Sequence, residues 1–197
     1  VRKHKQAKAI VAALRRLRVP VVTAVTGDIT DSETWADLLA LIAAINDPSD
    51  DRAVRRALVT ALSGHDAASL HALVQDEAAW RRHVERLTQA RRDWVRRGML
   101  TGLTRLLADP LWQSVAQLSR RADAERRLTD LRHITMLMQK AERQGHRAPS
   151  GILSWARRFA DRSSEEKEAR ALHLESDREA VQVTTIHAAK GLEWPIV

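Results

Sequence analysis

Cysteine is absent from the 197 residues, so neither a disulfide framework nor a thiolate zinc site can exist here. The eight histidines include no His-x-x-x-His pair, which leaves no sequence support for a metal centre. No apolar run reaches the roughly 18 residues that a bilayer crossing takes. The basic N-terminus is not followed by the apolar stretch and cleavage site of a secretory leader. A soluble intracellular protein is therefore expected. Several catalytic signatures are missing too. There is no Gly-x-x-x-x-Gly-Lys-Ser/Thr, and Lys190-Gly191 stands in the reverse of the order a phosphate loop needs. There is no Gly-x-Gly-x-x-Gly, no Gly-x-Ser-x-Gly and no His-Glu-x-x-His.

What is present supports a packed domain. Apolar residues make up 44% of the chain, enough for a core over most of its length. The net charge is +8 and the isoelectric point about 10.8, which favours a polyanionic partner, nucleic acid first. Arginines that merely solvate helices would account for the charge equally well. Of the six tryptophans, Trp35, Trp80, Trp94, Trp112 and Trp155 fall on helix stripes, so core packing is the better reading than base stacking. Glu165, Glu166 and Glu168 sit in a polar run and read as solvated carboxylates, since general acid catalysis needs a fixed geometry.

The two ends read as α/β and the middle as helix. Residues 1–27 hold seven Lys or Arg and no acid. Val1-Arg2 reads as a strand stub, Gln6 to Leu17 as a helix with Ala9, Ile10, Ala13, Leu14 and Leu17 on one face, and Val19 to Val22 as a strand. Helices are then expected at about 33–45, capped by Asp31 or Ser32, at 52–62, from Asp66 to about Val74, and at 76–97. Further helices are expected at 100–107, 111–118 and 123–143, the last with Leu128, Leu131, Ile134, Leu137 and Met138 inward. One more, capped by Ser150, runs from Ile152 to Phe159. Gly64, Gly98 and Gly145 mark helix ends. A polar interval from Arg162 to Glu179, with six acids and four bases, leads to a β-branched strand at Val181–Ile186. Roughly 130 residues of helix between strands predict an all-α block inserted in an α/β domain whose own ends are too small for a complete sheet.

The strand empties into a polar turn carrying His187, Lys190, Gly191 and Glu193, with Pro195 beyond it. A strand running into a loop with a cation, a glycine and a carboxylate is a usual ligand position in an α/β sheet. The chain ends just where this chemistry begins, and a piece of something longer is expected.

Val183-Thr-Thr-Ile-His-Ala-Ala-Lys-Gly-Leu-Glu-Trp-Pro195 resembles motif V of the UvrD/Rep class of superfamily-one DNA helicases, with Trp194 where many relatives carry Phe or Tyr. The opening strand and helix resemble the segment before the inserted 2B subdomain of that class, and the helix ending at Asn46-Asp47-Pro48 resembles the start of the insertion. Three further stretches point to the RecB-like branch, the beta subunit of exodeoxyribonuclease V: Ala57 to Gly64, Arg126 to Ile134, and Leu174 to Asp177.

The resemblance implies a mainly α fold, an all-helical 2B-type subdomain (33–176) inserted in a partial RecA-like 2A domain (1–32 and 177–197). It implies that Glu193 accepts a hydrogen bond from the ATP ribose, with Gly191 and Lys190 on the nucleotide side, and that Thr185, His187 and Arg2 lie near the DNA backbone. A carboxylate suits a hydroxyl donor, and hydroxyl and imidazole groups can donate to phosphate. ATP and Mg2+ would serve the full-length parent, an ATP-dependent 3′-to-5′ helicase of double-strand-break repair in the bacterial cytoplasm, with DNA and RecC-like and RecD-like subunits as partners. The Walker lysine, the Mg2+-binding acids and the arginine of the later motif are missing from these residues, so no ATP hydrolysis is expected of them alone. A UvrD/PcrA-like repair helicase and a non-catalytic DNA- or partner-docking module remain the alternatives.

Overall fold

A computed structural model describes residues 28–112 and 114–161, the strand residues 21–23 and 181–183, and residues 10, 13, 14, 16, 17 and 19. The chain divides into two compact units, one built from Val1–Asp28 with Ala171–Val197, the other from Ile29–Arg170.

In the first unit, β1 (Val21–Thr23) pairs in parallel with β2 (Val181–Val183), Val21 opposite Val181 and Thr23 opposite Val183. Parallel neighbours need a long crossover, and here the whole second unit lies between them in the chain. Of the β2 side chains, Val183 is buried and Val181 half open. Ile10, Ala13, Leu14 and Arg16 are helical, as the spacing predicts. The expected inward face is not covered, however: Ile10 and Leu17 are exposed. The strand stub at Val1-Arg2 and the expected strand residues 184–186 lie outside the described residues.

The second unit is helical: α1 (Glu33–Asn46), α2 (Asp51–Leu58), α3 (Ala67–Gln75), α4 (Glu77–Arg97), α5 (Met99–Leu107), α6 (Ser114–Ser119), α7 (Ala124–Arg143) and α8 (Pro149–Asp161). Its starts follow from side chains that accept the unpaired N–H groups of a first turn. The Ser32 hydroxyl accepts from the Trp35 amide at 3.1 Å, and the Asp50 carboxylate accepts from Arg52 at 2.9 Å. Asp66 and Ser69 form a reciprocal capping box, and Asp76 accepts from Ala79. The expected Ser150 cap is wrong. Pro149, which has no N–H to satisfy, takes the first helical position and puts Ser150 inside the helix. The expected helix to Leu62 stops at Leu58, because Thr60 turns the chain and its hydroxyl donates to the Ala57 carbonyl at 2.7 Å.

α1 is the hub. Leu38, Leu41, Ile42 and Ile45 are fully buried, and α2, α4, α7 and α8 all pack on it. Trp35 near its start stacks on Phe159 of α8 at 5.9 Å between ring centroids and lies 6.2 Å from Trp155. Gly98, at φ 96°, breaks the long α4 from α5 in a conformation that favours glycine. The two helices then approach so closely that a Cβ on Gly102 would stand 2.7 Å from the Ala90 carbonyl oxygen. The Trp94 indole donates to the Arg147 carbonyl at 2.8 Å, tying α4 to the turn before α8.

Candidate nucleic-acid interface

The residues singled out in the motif, Thr185, His187, Lys190, Gly191 and Glu193, lie outside the described residues, as does Arg2. β2 is the described part of the segment that leads into them. Among the described residues, no group of three or more His, Asp or Glu is placed to hold a metal ion.

The described residues do present a cationic surface. At 100° per residue, α4 turns His83, Leu87, Ala90 and Trp94 inward and Arg82, Glu85, Gln89, Arg92 and Arg96 outward. The outward residues are all exposed. Glu85 is an exposed acid within this face, and three other acids nearby are engaged elsewhere. Glu77 pairs with Arg81 at 2.6 Å, Asp109 with Arg86 at 3.1 Å, and Asp93 with Arg105 of α5 at 3.1 Å. Burial works to raise the Asp93 carboxyl, but hydrogen bonds from Arg105 and Gln89 outweigh it and hold it below its ordinary value. Arg82, Arg92 and Arg96 therefore face solvent with no carboxylate pairing among the described residues, an arrangement suited to phosphates.

A second set of charges is turned inward. Arg127 of α7 is buried, and three carboxylates surround it: Asp123 at 2.7 Å, Asp37 of α1 at 3.4 Å, and Glu33 of α1. Burial raises the Asp37 carboxyl despite the Ala61 amide and Arg127, and burial raises Asp130 despite its ion pair with Arg126. At Asp123 burial also acts upward, yet the bond and charge of Arg127 prevail and lower it. Arg127, with Glu33 and Asp37, fastens α7 to α1.

The expected inward face of α7 needs correction accordingly. Ile134 and Met138 are fully buried, but Leu128, Leu131 and Leu137 are only half-buried, while Arg127, Asp130 and His133 are buried in their stead. The signal available in the sequence was the i,i+4 spacing of Asp123 to Arg127 and of Arg126 to Asp130.

A third polar cluster is also structural. His83 is buried edge-on between His65, at 5.6 Å, and Trp112, at 5.9 Å. Burial first, and the neighbouring His65 second, push His83 down to about 4, so it is neutral at physiological pH. Of the tryptophans, Trp35, Trp94 and Trp112 are core residues as expected, whereas Trp80 is half-buried with the Arg55 guanidinium 5.7 Å above its ring.

No protein-family model matches the chain. Curated relatives do, and three of them, each named RecBCD enzyme subunit RecB, show the extent of the likeness. The Escherichia coli protein is 32% identical over 199 aligned positions, covering 100% of this chain and 16% of the relative. The Haemophilus influenzae protein is 34% identical over 148 positions, covering 75% of this chain and 12% of the relative. The Mycobacterium tuberculosis protein is 31% identical over 199 positions, covering 100% and 18%. The chain thus spans less than a fifth of the length of these relatives. Along its whole length it is homologous to one segment of the RecB subunits of RecBCD enzymes.

Proposed function

We propose that the chain is the helical 2B-type subdomain, residues 33–176, together with the flanking strips 1–32 and 177–197 of the second RecA-like domain of a RecB-like helicase. The observation that carries this reading is the segment Val183 to Pro195, whose order of strand, Thr185, His187, Lys190, Gly191, Glu193 and Pro195 fits motif V of the UvrD/Rep class. The likeness to RecB subunits along the full chain supports it, as does a compact helical unit whose flanking strands pair in parallel.

In this reading the full-length parent is an ATP-driven, Mg2+-dependent DNA translocase that works on double-strand ends beside RecC-like and RecD-like subunits. Glu193 accepts a hydrogen bond from the nucleotide ribose, with Gly191 and Lys190 beside it. Thr185, His187 and Arg2 contact the single strand. The turn couples the nucleotide cleft to the DNA, and the 197 residues alone hydrolyse no ATP. In the full-length parent, Glu193→Ala is expected to raise the Michaelis constant for ATP by roughly ten- to a hundred-fold, the worth of a hydrogen bond to a charged group. Unwinding at low ATP should slow with it. If both stay at their wild-type values, the assigned role is wrong.

A second reading has its own observation, the open arginine stripe of α4. On this reading the helical unit grips the duplex arm of a fork through phosphates, with no sequence preference.

A further inference from the structure

α2 has two faces. Val54, Ala57 and Leu58 are buried against the core, while Arg52, Arg55 and Arg56 on the helix and Val59 just past its end follow i, i+3, i+4, i+7 spacing and point outward. The stripe runs into a groove of about 610 Å³ between the end of α2 and α3. Val59, Ala67, Leu70 and Val74 give its lining an apolar part, and Arg55, His65, Asp66 and His71 a polar one. Val59 is 49% exposed, a large aliphatic side chain left open to water. The Arg55 guanidinium lies over the Trp80 ring, which holds it in place beside the groove.

Two acids lie close to this surface, Asp66 in the lining of the groove and Asp51 on α2. Asp66 accepts from the Ser69 amide at 2.8 Å and from its hydroxyl at 2.7 Å, which ties it to the start of α3. Asp51 reaches only one of the three arginines, Arg55, at 3.7 Å. Arg52 and Arg56 have no carboxylate partner among the described residues. An aliphatic lining beside guanidinium groups sets two demands on an occupant. It must bring apolar side chains into the groove and carboxylates to the guanidinium groups. A phosphate backbone meets only the second demand. An amphipathic helix with aliphatic residues at i, i+3 or i+4 and acids on its flanks meets both.

We propose that this groove is a docking site for an acidic amphipathic helix of a partner protein. The site is separate from the motif residues Thr185 to Glu193 and uses none of them.

The test is selection of a phage-displayed library of 16-residue peptides on the full 197-residue chain, followed by fluorescence anisotropy with the enriched peptides. Expected is enrichment of sequences with Leu or Ile at helical spacing flanked by Glu or Asp. Val59→Asp and the pair Arg55→Glu with Arg56→Glu should each weaken those peptides by about tenfold or more, the loss typical of an interface anchor. Arg96→Glu, on α4, should leave them unchanged. All of these side chains are exposed, so circular dichroism of the variants should match the parent chain. The proposal is overturned if no peptide is enriched, if the enriched peptides are basic or unpatterned, or if their binding ignores Val59→Asp. It is also overturned if a short duplex DNA displaces them fully, because the groove would then be a phosphate site.

Discussion

Arg127 and the arginines on the outer face of α4 are the same side chain in two settings. Arg127 is buried with three carboxylates from two helices around it. Arg82, Arg92 and Arg96 stand in water beside the exposed Glu85, with Glu77, Asp93 and Asp109 committed to other partners. The difference lies in where the acids are. On α7 and α1 they converge on one guanidinium, so the charge can be taken out of water. Around α4 three of them are drawn off by Arg81, Arg86 and Arg105, so the remaining cations stay solvated and available. A basic isoelectric point alone could not tell these two populations apart.

The sharpest way to break the contrast is to remove the buried cation. Arg127→Met should cost roughly 3 kcal/mol, the low end for breaking a buried ion pair, because Glu33 and Asp123 still reach water. Urea unfolding of the full chain reads this directly. A loss under about 1 kcal/mol would place Arg127 with exposed pairs instead.

The inner face of α4 supplies a smaller effect that depends on pH. His83 has a folded-state value of about 4, below its ordinary 6.5, so the unfolded chain binds more protons between those values. Stability contributed by neutral His83 is therefore fully present above about pH 6.5 and is lost as pH falls toward 4. By pH 5 the loss should be about 2 kcal/mol, from 1.36 kcal/mol per pKa unit. Unfolding of the parent chain and of His83→Phe at pH 7 and pH 5 should show a steeper pH dependence in the parent. Equal dependences would mean that His83 is not held neutral by burial.

The smallest effect on stability belongs to the open stripe. Arg92→Ala with Arg96→Ala should shift stability by less than about 0.5 kcal/mol. The same pair should weaken binding of the chain to forked DNA and flatten its dependence on salt by roughly one to two phosphate contacts. An unchanged salt slope would separate the stripe from DNA altogether.

How much of this was legible in the sequence follows the range of the forces involved. Ser32, Asp50, Asp66 and Asp76 act within three residues of their targets, and each helix start was readable from them. Gly98 and Gly145 were likewise readable as stops, whereas the helix expected to end at Gly64 stops at Leu58; all three glycines have positive φ. Of the Arg127 cluster only the i,i+4 spacing of Asp123 was readable, because Glu33 and Asp37 lie 94 and 90 residues away in the chain and nothing local announces them. Leu128 and Leu131 looked like core by spacing alone, but the ion cluster took the interior and left them half-buried. The motif residues lie outside the described residues, and the α4 stripe needed the pairing of Asp93 and Asp109 before its free cations could be told from its bound ones.

The stacking of Trp35 on Phe159 bears on how this unit can be connected to other chains. Trp35 lies six residues after Ile29, and Phe159 two before the end of α8, so the points where the chain enters and leaves the unit's packed part are neighbours. A block whose two ends meet can be lifted out and reclosed by a short linker, or seated in a loop of a different host, without threading the chain through itself. Such a block is expected to behave as a cassette, its interior retained when length is added or removed outside Ile29 and Asp161.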